Sequence, residues 1–427
     1  MPDVYRGSAP GVIDLVEGKD GKTAYLLDGS KTASSAKLPD GSVVFPPPPE
    51  RIDWLLPHFE AVEQHFHNDN PQRLFEDLKQ YHHGISHLPS LDHYPLLAAY
   101  DFLSYLYPRF GYCPVLYLGW EPGRGKSRTG KGVVNVAHRG VRTLTVGIAS
   151  LIRYADQEET TLFFDMQDFW REVCHERTRD FFLNRYEQGG TASRVLTLDK
   201  GHFQDRQTFS VYGPTVIASN EQVDSVMESR CIPITMQLSS RMFPPVPPKP
   251  EDGLPYRERL IAEMLRRQGF PWPLVSPPVS GRLRDILTPI LTIIHAVSPG
   301  DENAILRIAH QLQELRKESM ADTLSGLIIQ TIVNVRPMAQ DTDAFISTEL
   351  ISQYVNRSLP PYGHLSDRKM GRKLSSLGFE AVQRRTSGGV RRGISIGSAS
   401  VLRALCDQYG IDPDPNGDWR KEWDTDK

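Results

Sequence analysis

Residues 117–130 read YLGWEPGRGKSRTG. A Gly-rich turn between a strand and a helix aims backbone N–H groups at phosphate oxygens, and its sequence pattern is G-x-x-x-x-G-K-S/T. Gly125, Lys126 and Ser127 supply the second half of that pattern, while Trp120 holds the place of its first glycine and Gly119 comes one residue early. VLYLG provides the strand, and Pro122, Gly123, Arg124 and Gly125 provide the turn. Lys126 is then the residue that neutralises phosphate, Ser127 the hydroxyl that reaches Mg2+, and Arg128 follows in the helix. Gly130 and Gly132 count against a helix here, each costing about 1 kcal/mol relative to alanine. The bland reading is a chance G-x-G-K-S in a turn.

Working outward, TLFFDMQDFW (161–170) is an apolar strand ending in Asp165, where a carboxylate belongs if it is to stand by Mg2+. An ordinary strand end with an acidic cap is the plain alternative. Met166, Gln167 and Asp168 follow. Glutamine can orient a water but cannot accept its proton, so Asp168 is the nearby general-base candidate. In YGPTVIASNEQVDSVMESRCIPITM (212–236) a second strand ends in Asn220, and a helix leads to Ser229 and Arg230.

Phosphate loop, D-x-x-D strand, strand ending in asparagine and trailing Ser-Arg together resemble an AAA+ ATPase. Within that class the chain resembles the helicase-like ATPases of phages, plasmids and integrated elements, related to superfamily 3 and minichromosome-maintenance helicases. The resemblance covers about residues 75 to 425 and is carried by YGPTVIASNE, ESRCIPITM and DKGHFQD. It implies an α/β P-loop NTPase core with a helical lid, ATP and Mg2+ as cofactors, and a homo-oligomeric ring, a hexamer. By position, Asn220 would orient the attacking water and Arg230 would be a finger reaching a neighbouring subunit's nucleotide. Arg282 and Arg284 are second-sensor candidates, against a solvated helical face. Most hydrolysing members carry a glutamate directly after the aspartate, and Met166 stands there instead.

Composition sets the outer bounds. At 427 residues the chain has room for two or three domains. No run approaches the roughly 18 apolar residues of a membrane span, and MPDVYRGSAPG lacks the apolar stretch of a secretory signal, so a cytoplasmic protein without membrane contact is expected. The four cysteines are far apart and form no C-x-x-C pair, which argues against a disulfide framework and a zinc site. A net charge of −3 decides nothing, so any nucleic-acid contact must come from a local patch. The expected organisation is a small β unit (1–50), helices (51–110), the ATPase core (111–242), a Pro-rich linker with a helical lid (243–335), a winged helix-turn-helix (336–405) and a tail (406–427).

Two regions are placed to touch nucleic acid. RVLTLDKGHFQDRQTFSV (194–211) reads as two β arms around a turn. In related ring helicases such a hairpin enters the central channel, so the resemblance gives Lys200 and His202 a grip on single-stranded DNA, against a solvent-exposed turn. The C-terminal module holds Arg368, Lys369, Arg372 and Lys373 on its second helix and Arg384, Arg385, Arg391 and Arg392 on its hairpin. Those eight basic residues stand against two acidic ones over 366–396, leaving +6. Duplex DNA is their expected partner, against mere packing on the ring or a protein partner. Seven histidines crowd 58–93 without a metal motif and read as helix-surface residues.

The functional expectation is a DNA helicase or translocase of a mobile element. The alternative is an ATP-switched, weakly hydrolysing DNA-binding oligomer, favoured by Met166 and Gln167. A small-molecule kinase explains neither Arg230 nor the basic C-terminus.

Overall fold

The computed structural model describes residues 4–119, 121–144, 146–195, 206–222, 225–239, 243, 245–336, 345–386, 389–395 and 399–415. The chain divides into two compact units, Met1–Ala309 and His310–Lys427.

The first unit begins with the antiparallel sheet β1 (Asp14–Glu17), β2 (Thr23–Asp28) and β3 (Lys31–Ala33), then the pair β4 (Ala36–Lys37) and β5 (Val43–Val44). Leu15, Tyr25 and Val44 form its small core. Three helices follow: α1 (Phe59–Asn68), α2 (Pro71–Ile85) and α3 (His93–Leu106). The Asn70 side chain starts α2 by accepting from the N–H groups of Gln72 and Arg73, with Pro71 at the first helical position. Every residue of α3 is buried, the condition of a helix that neighbours cover on all sides.

The centre of the unit runs β6 (Val115–Gly119), α4 (Lys126–Val136), β7 (Gly140–Thr143), α5 (Ile148–Ile152), a π-helical turn over 153–157, β8 (Thr161–Asp165), α6 (Phe169–His175), α7 (Arg179–Asn184), β9 (Thr191–Val195), β10 (Arg206–Ser210), β11 (Thr215–Ala218), α8 (Ser225–Glu228) and β12 (Cys231–Thr235). Five strands make a parallel sheet in the order β12-β6-β11-β8-β7. The inner strands β6, β11 and β8 are covered on both faces and read as unbroken apolar runs. β11 lies between β6 and β8, and Ala218 is level with both Leu118 and Asp165. The loops leaving these three strands therefore emerge side by side at one edge. β9 and β10 pair antiparallel as the expected arms, and Lys200 and His202 lie outside the described residues.

α9 (Pro250–Arg266) packs on α1 and α4, and α10 (Gly281–Val297) packs on α3; α11 (Glu302–Ala321) follows. The helices expected to form one lid are thus distributed: α9 and α10 bury Leu260, Ile261, Ile286 and Ile290 within the first unit, while α12 (Leu324–Val335) belongs to the second. Pro250 opens α9 within the Pro-rich linker, because the first helical position needs no N–H.

The second unit continues from α12 with β13 (Phe345–Ser347), α13 (Thr348–Arg357), α14 (Asp367–Ser376), β14 (Ala381–Thr386), β15 (Gly389–Ser395) and α15 (Ala399–Tyr409). Its sheet is antiparallel in the order β13-β15-β14. Thr323 and Ser347 cap α12 and α13 through their hydroxyls. Ile332, Ile351, Val355, Met370, Leu374, Ile394 and Leu402 fill one core. Among the described residues no helix is long and apolar enough to cross a membrane.

Candidate nucleotide-binding site

A cleft of about 540 Å³ opens where β6, β8 and β11 end. Its lining includes Pro122, Gly123, Arg124, Gly125, Lys126, Ser127, Arg128, Asp165, Gln167 and Asn220. Gly123 and Gly125 take φ of 74° and 83°, a left-handed backbone that side chains disfavour, which accounts for glycine at both. Gly125 is also the residue from which α4 starts. The loop therefore delivers the first N–H groups of a helix to the cleft. Trp120, at the position of the pattern's first glycine, lies outside the described residues.

The Ser127 hydroxyl donates to Asp165 Oδ1 at 2.6 Å. A hydroxyl and a carboxylate brought together from two chain segments are hard oxygen donors of the kind Mg2+ takes. Among the described residues no cluster of three His, Cys, Asp or Glu side chains could hold a metal. Two such donors fit a cation that would take its remaining ligands from water and nucleotide phosphates. Lys126 is buried, with Nζ donating to the Glu121 carbonyl at 2.5 Å. Burial holds its ammonium below the ordinary lysine pKa against the pull of Glu121 and Asp165.

α4 reaches the cleft by close packing. A Cβ on Gly130 would stand 2.2 Å from Phe163, and one on Gly132 would stand 2.0 Å from Ile85. The two glycines that count against a helix are what let α4 lie directly on β8 and α2.

Three contributors escape the sequence pattern. Arg142, on β7, donates from Nη2 to Asp165 Oδ2 at 2.7 Å, so both oxygens of that carboxylate are engaged. Ser219 donates to the Gln167 carbonyl at 2.8 Å and Asn220 N–H donates to the same oxygen at 3.2 Å, tying the two loops together. Glu221 then accepts from Trp170 N–H at 2.5 Å at the start of α6. Only an alternating strand, GVRT, marks Arg142 in sequence; its meeting with Asp165 comes from the register of β7 on β8.

Other expected residues stand elsewhere. Asp168 is outside the cleft lining and pairs with Arg171 at 2.5 Å. The Arg230 guanidinium lies over the Tyr186 ring at 4.8 Å and donates to the Val226 carbonyl at 2.6 Å. Arg282 joins that group, donating to Ser229 Oγ at 3.1 Å, and neither it nor Arg284 lines the cleft. In the second unit, Arg368, Lys369, Arg372 and Lys373 are exposed on α14 while Met370 and Leu374 are buried. Arg385, Arg391 and Arg392 are exposed on the hairpin, and Arg384 is half-buried with its guanidinium 5.6 Å from the Phe345 ring centre.

No protein-family profile and no curated protein sequence matches the chain. Among solved structures it is similar to the C-terminal region of NrS-1 in an apo form, at 10% identity and a TM-score of 0.39, over 90% of this chain and 96% of that one. SCCmec type IV Cch, described as an active helicase, aligns at 15% identity and 0.37, over 94% and 80%. The inhibitor-bound JCV helicase aligns at 14% and 0.27, over 59% and 67%. These overlaps are low. The site stands on this chain's own geometry.

Proposed function

We propose that the chain is an Mg2+-dependent ATPase that assembles into a ring, a hexamer, and works as a DNA helicase or translocase of a phage, plasmid or integrated element. The observation that carries the reading is the 2.6 Å contact between Ser127 and Asp165 beneath a left-handed glycine turn, with Asn220 two residues past the end of β11, the strand between β6 and β8. Lys126 and the loop N–H groups would hold the phosphates, and bound Mg2+ supplies charge neutralisation on the phosphoryl oxygens. Asn220 and Gln167, drawn together through the Gln167 carbonyl, would orient the attacking water. Arg230 would serve the nucleotide of an adjoining subunit. The β9–β10 arms would follow one strand in a central channel, and the second unit, read as a winged helix, would hold duplex DNA.

The second reading, an oligomer switched by ATP with slow turnover, is favoured by the place of Asp168. Paired to Arg171 and outside the cleft, it leaves Gln167 in the cleft lining to face the attacking water, and glutamine accepts no proton.

Measuring ATP turnover with and without single-stranded and duplex DNA separates the two. Helicase action requires stimulation by DNA, strand displacement, and loss of both in Lys126→Ala. Turnover that ignores DNA, together with a large gain in Gln167→Glu, would select the switch.

A further inference from the structure

The basic residues of the second unit do not form one face. α14 buries Met370 and Leu374, and its cations separate to either side of that seam. Arg368 and Arg372 line a groove of about 770 Å³ between α14 and the hairpin, with Gln383 and Arg392 on its far wall. Lys369 and Lys373 are exposed and stand outside the groove lining. The floor is apolar, with Leu374 and Ile394, and Asp367 sits on the α14 side. Among the described residues no ion pair engages Arg368, Arg372 or Arg392, whereas Arg391 on the neighbouring strand position is met by Glu349 at 3.1 Å. The volume is that of a small-ligand cleft, which spans about 300–1,000 Å³.

We propose that this groove takes an unpaired nucleotide, so that the second unit grips the junction where a strand leaves a duplex. The inference rests on the reading of that unit as nucleic-acid-binding and adds what it recognises. A duplex is read by an element that projects into its groove, so a concave slot suits only a strand or base that has left the stack. Guanidinium groups suit the slot because they offer forked donors to phosphate and flat faces to a base. Gln383 and Asp367 supply the mixed donors and acceptors that meet a base edge. Lysines are compact point charges, and Lys369 and Lys373 on the outer side suit the phosphates of the adjoining duplex.

The test uses the full-length protein and a forked DNA carrying 5-iodouracil at its first unpaired position. Irradiation should crosslink that base to residues 310–427. The double variant Arg372→Lys with Arg392→Lys keeps every charge and touches only exposed side chains. It should lose most of the crosslink and roughly tenfold in fork affinity while binding blunt duplex as before. Lys369→Ala with Lys373→Ala should instead weaken fork and duplex equally. The proposal is overturned if the lysine-for-arginine variant keeps the crosslink, or if its fork and duplex affinities fall together. It is overturned as well if an acidic peptide protects the groove arginines from modification and no oligonucleotide does, which assigns the groove to a protein. If neither double variant changes any DNA binding, the nucleic-acid reading of the unit fails and the groove proposal goes with it.

Discussion

Asp165 is held from two sides, by Ser127 on Oδ1 and by Arg142 on Oδ2. The arginine fixes the carboxylate plane, so that Oδ1 faces the loop. Arg142→Ala should raise the Mg2+ concentration needed for tight nucleotide binding several-fold, and Arg142→Lys should recover part of it. Fluorescent-nucleotide titrations at varied Mg2+ check this without measuring turnover; a titration curve unchanged in Arg142→Ala would remove the assigned role. The helix glycines allow a second comparison. Gly130 faces the end of a fully buried phenylalanine ring, whereas Gly132 faces the tip of an isoleucine side chain that can turn away. Gly130→Ala should therefore cost about 1–3 kcal/mol by overpacking in spite of its better helix propensity. Gly132→Ala should cost less, and Ile85→Val beside it should return most of the loss. Equal melting shifts for the two alanine variants would refute this ordering.

At the scale of elements, the N-terminal sheet is joined to the central one by charge. Asp14, on β1, accepts from Arg139 Nε at 2.8 Å and lies 3.2 Å from His138 Nε2. Burial alone would raise the Asp14 carboxyl, but the charges of His138 and Arg139 outweigh it and hold the group well below the usual carboxylate range. The sign follows from linkage. A carboxylate with a depressed folded pKa adds stability above its unfolded value, about 3.9, and loses it as pH falls toward the folded value. Asp14→Asn should thus be destabilised by about 3 kcal/mol at pH 7, and the gap should start to close below about pH 4 and shrink further as pH falls toward the folded value. Urea unfolding of both proteins across that range measures the gap, and a gap that stays constant with pH would reject the linkage. The same sheet shows where sequence is informative. β6, β8 and β11 were legible as apolar runs because both of their faces are covered. β7 was not: at a sheet edge its exposed Arg142 interrupts the run, and its four residues carry too little pattern. Glycine, lysine and serine at the loop were legible because phosphate chemistry restricts those positions to few residue types. The partners of Asp165, Gln167 and Asn220 were not, since strand order and register bring them together.

For the whole molecule the decisive residue is Arg230. It stands outside the cleft lining of its own chain, which is where the proposed role at a neighbour's nucleotide would need it. Arg230→Ala should keep nucleotide affinity and lose about a thousandfold or more in turnover, the range of an arginine finger. Mixed with Lys126→Ala, it should regain part of the activity, because some mixed interfaces join an intact arginine to an intact loop. A protein that remains monomeric under every nucleotide condition, by light scattering, would end this account.

The bare backbone of α4 has a mechanical consequence. At Gly130 and Gly132 the α4 backbone rests directly against Phe163 and Ile85, with no side chain between them to take up slack. A displacement of the glycine-rich loop that moves α4 would therefore press first on β8 and α2.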